Sequence, residues 1–185
     1  ERVRAVRDTA GHRVAIRLDA NGAWSVDEAI EALQELASLG IELVEEPAAG
    51  GPKALEQVAA RTEIPVAADE STIHPDRFTE LLRSRSVGVV VIKPSAIGGP
   101  TEATRRITKA REAGLAVVVT SMLEGAIGVA AAAHLASATA AIDPEPGLAT
   151  SPLIQGDVGP AHRVSKGRLW LSDTPGLGTG PFLTP

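Results

Sequence analysis

Val14-Ala15-Ile16-Arg17-Leu18-Asp19-Ala20-Asn21-Gly22-Ala23-Trp24 decides between the two folds open to this chain. Its first half is a short aliphatic run that reads as a strand, and the strand ends on an acid. An open doubly wound sheet would follow its first strand with a Gly-rich phosphate-binding turn. Asp19-Ala20-Asn21-Gly22 is not one. A parallel (β/α) barrel instead uses side chains at the C-terminal ends of its strands, which all open on one face.

Outward from this stretch the same unit repeats. Further strands are expected at Glu42 to Glu45, Val66 to Ala68, Val87 to Ile92 and Ala116 to Thr120, with a weaker sixth near Ala140 to Ile142. Val87–Ile92 and Ala116–Thr120 are almost wholly apolar, as strands covered on both faces must be. Amphipathic segments separate them. Ser25 and Glu28 form a capping box, Gly40 closes that helix, and Ala29, Ile30, Leu33, Leu36 and Ala37 recur at helical spacing. Further helices are expected near Lys53–Arg61, Pro75–Arg83 and Thr101–Ala113, and over the Ala-rich Ala126–Ala138.

The count is about six βα units, where a complete barrel has eight and about 250 residues. The fold class expected is therefore α/β, a partial (β/α) TIM-type barrel. The chain opens at Glu1 inside a helical segment that Gly11 would end, so an N-terminal truncation is expected, with the first strands missing. Residues 1–150 are read as the C-terminal part of a barrel domain. Residues 151–185, rich in Gly and Pro, are read as a tail packing on it, with a hairpin around Arg168-Leu169-Trp170-Leu171.

Composition narrows the function. A net charge of −5 offers no basic face to nucleic acid. No apolar run approaches the ~18 residues of a membrane span. With no Cys and four His that lack metal-binding spacing, a metal would have to be held by oxygen. The absence of Cys also fits a reducing, cytoplasmic setting.

The strand ends carry the chemistry. Asp19 closes the first strand, Glu45-Glu46-Pro47 the second, Asp69-Glu70 the third and Lys93-Pro94 the fourth, at spacings of 26, 24 and 24 residues. One such acid alone reads equally well as a helix N-cap or a solvated loop charge. Three in succession, one per unit, would converge on one face and repel one another unless a cation joined them. A hard divalent ion such as Mg²⁺ suits that donor set. Lys93 at the same station, drawn into a partly desolvated mouth, suits proton transfer.

These motifs resemble a known family. Asp19-Ala20-Asn21-Gly22-Ala23-Trp24, Val44-Glu45-Glu46-Pro47, Ala68-Asp69-Glu70-Ser71 and Ile92-Lys93-Pro94-Ser95 are similar to the o-succinylbenzoate synthase family, in the muconate-lactonising subgroup of the enolase superfamily. Thr120-Ser121-Met122-Leu123-Glu124-Gly125 and Gly147-Leu148-Ala149-Thr150 extend the resemblance. It implies Mg²⁺ held by Asp19, Glu45 and Asp69, with Glu45 rather than Glu46 as the ligand and Glu70 as a supporting neighbour. It implies that Lys93 is the lysine facing the substrate from one side, and that the substrate is a small-molecule carboxylate. Ser121 and Gly98 become candidate substrate contacts, although Gly98-Gly99-Pro100 also reads as a plain turn into a helix. The implied reaction is dehydration of 2-succinyl-6-hydroxy-2,4-cyclohexadiene-1-carboxylate to o-succinylbenzoate, for menaquinone biosynthesis, through an enediolate.

The sequence departs from that family at one point. The family's abstracting base is the second lysine of a Lys-x-Lys strand; none occurs before Asp19, where Arg2, Arg4, Arg7 and Arg17 stand, and that strand and the family's N-terminal capping domain are expected upstream of Glu1. Arginine does not give up its proton near neutrality. Residues 1–185 alone are therefore expected to bind metal weakly and not to turn over. Two other readings stay open: an N-acylamino-acid racemase or dipeptide epimerase on the same scaffold, for which Asp143-Pro144-Glu145 is a loose echo of an Asp-x-Asp pair, and a non-catalytic remnant.

Overall fold

The computed structural model describes residues 1–139, 144–159 and 162–179. Five short strands form one sheet: β1 Ile16–Asp19, β2 Ile41–Glu45, β3 Val66–Ala68, β4 Val89–Ile92 and β5 Ala116–Val119. Their order in the sheet is their order in the chain, and the β1–β2, β2–β3 and β3–β4 pairings are parallel. Sequential parallel order without reversal is the arrangement of a (β/α) barrel rather than of a doubly wound sheet. The expected sixth strand near Ala140–Ile142 lies outside the described residues.

Two compact units make up the chain. The first comprises Glu1–Val90 with Ala113–Leu115, the second Val91–Glu112 with the described residues from Ala116 onward. The first holds β1 to β3 and the helices α1 Arg2–Ala10, α2 Val26–Leu36, α3 Pro52–Ala59 and α4 Pro75–Ser84. Val66, Ala67 and Ala68 are all buried, as a strand covered on both faces requires. Ser25 accepts from the Glu28 backbone while the Glu28 side chain accepts from the Ser25 backbone, so α2 starts where its capping box places it. Gly40 closes the segment in a left-handed conformation, φ 64°. Ala37, expected on the buried stripe, is exposed. The last turn tightens to a 3-10 helix over Ala37–Leu39, which shifts the helical phase and buries Leu39 instead.

Strand β1 starts two residues later than expected because Val14 is otherwise engaged. Its carbonyl accepts a 2.6 Å hydrogen bond from Arg7 Nη1. Arg7 is itself 5% exposed, and its guanidinium also donates to the carbonyls of Leu39, Gly11 and Gly40, each at 2.8 Å. One buried cation thus fastens the end of α1, the approach to β1 and the turn into β2.

The second unit contains the end of β4, β5, α5 Pro100–Glu112 and α6 Ala126–Ala138. Within it Thr120 N donates to Ile92 O at 3.0 Å, next to β5. The N-terminus of α6 is capped from far along the chain: Asp157 Oδ2 accepts from Ala126 N at 2.6 Å. The same carboxylate explains Gly125, where a Cβ would stand 2.4 Å from Asp157 Oδ1. The expected hairpin is present as β6 Val164–Ser165 and β7 Arg168–Leu169. Lys166 and Gly167 turn it with positive φ at both positions, the twist that two-residue hairpin loops favour.

On α5, Glu102 accepts hydrogen bonds from Arg105 and from the buried Arg106. Those bonds, Arg105 first, hold its carboxyl down to about 2, against an ordinary 4.5. A depressed carboxyl stabilises the fold above its unfolded value and loses that contribution as pH falls toward the folded one. Glu102→Gln is therefore expected to melt below the parent at neutral pH. The gap should close between pH about 4.5 and 2, as thermal melts across that range would record.

Candidate metal centre

Asp19 and Glu45 end adjacent strands and are register partners, Asp19↔Glu45. Neighbouring parallel strands lie about 4.8 Å apart, so in-register pairing sets the two carboxylates side by side. Glu45 in turn pairs with Ala67. Asp69 stands two residues beyond Ala67, and strand residues two apart share a face. Sheet register therefore sets Asp19 beside Glu45, and Asp69 follows one residue past the end of β3 on the neighbouring strand. One ligand oxygen from each lies within 4.8 Å of those of the other two. Asp19 is exposed, Glu45 half-buried and Asp69 1% exposed, so the group is anchored in the sheet at one side and open at the other.

The donor set fits a divalent ion. Oxygens at about 2.1 Å from a common octahedral centre stand roughly 3–4 Å from each other, close to the spread already present. Three carboxylates supply hard, anionic oxygen without nitrogen or sulfur, the preference of Mg²⁺ over softer metals.

The loops behind these ligands are laced together. Asn21 N donates to Asp19 Oδ1 at 2.9 Å, a short Asx turn, and Asn21 and Gly22 both take positive φ. Gly22 N then donates to the Glu46 carbonyl at 2.7 Å, and Ala20 N to the Glu45 carbonyl at 3.2 Å. Trp24 and Ala48 form a parallel bridge, which ties Trp24 into the loop after β2. Glu46 is 5% exposed with φ 34°, and its carboxylate accepts from Asp69 N at 2.8 Å, Ser71 N at 3.4 Å and Ser71 Oγ at 2.5 Å. Glu70, expected as the neighbour supporting the site, is half-buried. Its Oε2 is enclosed without a hydrogen-bond partner among the described residues.

In the second unit, Lys93 directly follows β4 and precedes a 3-10 turn over Pro94–Ile97, with its side chain half-buried. Gly98 ends that turn in a left-handed conformation, φ 102°, and Gly99 N closes it on the Pro94 carbonyl. The Gly98-Gly99-Pro100 stretch is thus a turn into α5. Ser121 is buried after β5, its Oγ 2.8 Å from Thr150 Oγ1. Glu124 Oε1 accepts from Ser95 Oγ and Met122 N, both at 3.0 Å, and joins the loop after β4 to the loop after β5.

Residues 1–181 match the family described as Enolase C-terminal domain-like. The chain belongs to the enolase superfamily. Members of the superfamily bind Mg²⁺, and the three converging carboxylates have the composition for it. Within the superfamily the chain is 40% identical over 157 residues to the o-succinylbenzoate synthase of Thermobifida fusca (strain YX), covering 85% of this chain and 48% of the synthase. The dipeptide epimerase from Enterococcus faecalis V583, solved with Mg and the dipeptide L-Leu-L-Tyr, superposes with a TM-score of 0.80 at 34% identity, over 96% of this chain and 51% of that one. Muconate cycloisomerase from Pseudomonas fluorescens superposes with a TM-score of 0.90 at 28% identity, over 96% of this chain and 50% of that one. The chain spans about half the length, or less, of the curated relatives it matches. The α/β fold, part of a (β/α) barrel, agrees with these structures.

The grip of Glu46 on the Asp69 loop is not visible in the sequence. The available signal is its place before Pro47, since a residue preceding proline has a restricted backbone. That marks the position as unusual without saying what its carboxylate holds.

Proposed function

We propose that this chain provides the metal-binding part of an Mg²⁺-dependent enzyme that takes a proton α to a carboxylate of a small molecule. The reaction we infer is dehydration of 2-succinyl-6-hydroxy-2,4-cyclohexadiene-1-carboxylate to o-succinylbenzoate. The carrying observation is the convergence of Asp19, Glu45 and Asp69 on one point. The likeness to the T. fusca synthase supports the particular reaction.

In this reading Asp19, Glu45 and Asp69 hold Mg²⁺, whose charge offsets the negative charge that builds on the substrate carboxylate as the proton leaves. Lys93 serves the same substrate with its ammonium or amine, as a cation opposite the base or as the proton carrier itself. The partial burial of Lys93 at a strand end is consistent with either role. Ser121 and Gly98 are the proposed contacts to the rest of the substrate, and Glu70 a supporting neighbour of the ligands. The setting is the cytosol, in keeping with a chain without Cys.

A second reading rests on the likeness to the E. faecalis dipeptide epimerase. Epimerisation needs the same metal and the same proton abstraction, and differs in returning the proton instead of expelling water. One set of assays on the protein as its gene encodes it separates the two: cyclohexadiene substrate, N-succinyl amino acids and dipeptides, each with Mg²⁺. Dehydration is the expected activity, and Lys93→Ala is expected to lower its kcat by about 10²–10⁴-fold with Mg²⁺ affinity unchanged. Turnover of dipeptides alone would move the assignment to the epimerase. A Lys93→Ala protein of full activity would remove Lys93 from the mechanism.

A further inference from the structure

We propose that Glu46, which is not one of the three ligands, is the positioning residue that sets Asp69 in place for the metal. The proposal deepens the metal reading above and rests on it.

The Glu46 backbone is anomalous. Glu46 sits at φ 34°, a left-handed conformation that is strained for a side-chain-bearing residue and persists only where its surroundings impose it. Such strain tends to collect at functional sites. What it achieves here can be read directly. Although Glu46 departs from strand geometry, its N–H still donates to Ala67 O at 2.9 Å, so the residue stays tied to β3. Its carboxylate then accepts from Asp69 N, Ser71 N and Ser71 Oγ. These groups flank the Asp69 side chain on the residue itself and two residues on.

Position matters because Asp69 has left the regular ladder. β3 ends at Ala68, and Asp69 has φ −115° and ψ −83° at the start of a 3-10 turn over Glu70–Thr72. Asp19 and Glu45 are fixed by strand pairing, whereas Asp69 lies one residue past the end of its strand. Glu46 also reaches the opposite ligand through its own carbonyl, which accepts from Gly22 N in the loop behind Asp19. One residue, adjacent in sequence to Glu45, therefore contacts the backbone beside both other ligands. Groups that orient metal ligands from behind typically change metal affinity 10–100-fold when removed.

Atom by atom, the contact pattern suggests a rescue. Oε2 takes both backbone donors, while Oε1 faces only the Ser71 hydroxyl. A hydroxyl can donate or accept. Glutamine can therefore keep its oxygen on Asp69 N and Ser71 N and donate its amide to Ser71 Oγ. A positioning role predicts that Glu46→Gln works and Glu46→Ala does not. A role as a direct ligand, or as a bare negative charge near the ion, predicts that both fail.

The test pairs calorimetric Mg²⁺ titration with amide hydrogen exchange in the absence of metal. Glu46→Ala is expected to weaken Mg²⁺ binding about 10–100-fold and to speed exchange at Asp69 and Ser71 by at least roughly tenfold. Glu46→Gln is expected to restore both. Ser71→Ala, a milder change that tests the role should Glu46→Ala not fold, is expected to weaken binding roughly two- to tenfold. Glu46→Ala binding Mg²⁺ like the parent, unchanged exchange at Asp69 and Ser71, or Glu46→Gln as weak as Glu46→Ala would each overturn the role. A parent protein without Mg²⁺ affinity is a different failure, visible before any variant is made. It removes the metal centre and this role together.

Discussion

Asp69→Asn is expected to abolish measurable Mg²⁺ binding, a loss of about 100-fold or more, while leaving the fold intact. Asn has the same shape and keeps one oxygen, so the 1%-exposed site can still be filled. What it lacks is the charge, and affinity for a hard divalent cation depends strongly on how many charged oxygens the site offers. Of the three acids Asp69 is the most deeply buried, so water is least able to replace it. Thermal melts give an independent readout. A cation that binds only the folded state adds about 2.7 kcal/mol of stability at a hundred times its Kd. The parent should melt higher as Mg²⁺ is added, and Asp69→Asn should not. Asp27→Asn, an exposed acid in the first turn of α2, is the control and should behave as the parent does. A Mg²⁺-dependent rise that survives in Asp69→Asn would place the binding elsewhere.

Arg7→Met should cost the first unit about 3 kcal/mol of stability. Methionine can fill much of the space left by the aliphatic stem, so the loss reports on the guanidinium. Four carbonyls, those of Leu39, Gly11, Val14 and Gly40, would each lose a donor. The Leu39 bond is buried where water cannot stand in. At about 2–4 °C per kcal/mol for a chain of this size, the melting temperature should fall by about 6–12 °C. Arg7→Lys should recover only part of this, because an ammonium lacks the planar fork that reaches separate carbonyls at once. Arg4→Met, one turn earlier and exposed, should be close to neutral. Equal melting temperatures for Arg7→Met and Arg4→Met would show that the buried guanidinium holds nothing together.

Arg7 also marks where sequence reasoning stopped. The first nineteen residues are strewn with arginine, and nothing in their spacing separates the buried one from the solvated ones. What distinguishes Arg7 is a set of carbonyls up to 33 residues away, which no local pattern records. The strands were legible because a parallel sheet covered on both faces demands uninterrupted apolar runs, and Val89–Ile92 is buried at all four positions. The three acids of the candidate metal centre were legible for a related reason. An acid directly after such a run sits at a strand end, and spacings of 26 and 24 residues place one such acid in each successive βα unit. Errors arose where geometry changes within an element, as at Ala37, where the helix tightens and the buried position passes to Leu39. Glu46 was legible as a residue and illegible as a role, because its carboxylate acts on residues 23 and 25 positions further on.

The proposed function requires Asp19, Glu45 and Asp69 to share one cation. Crystals of the protein grown with Mn²⁺ in place of Mg²⁺ would answer this through the anomalous signal of the metal. A single strong peak is expected about 2.2 Å from a carboxylate oxygen of each of the three residues. A map without a peak there, or with the metal bound to other acids, would contradict it.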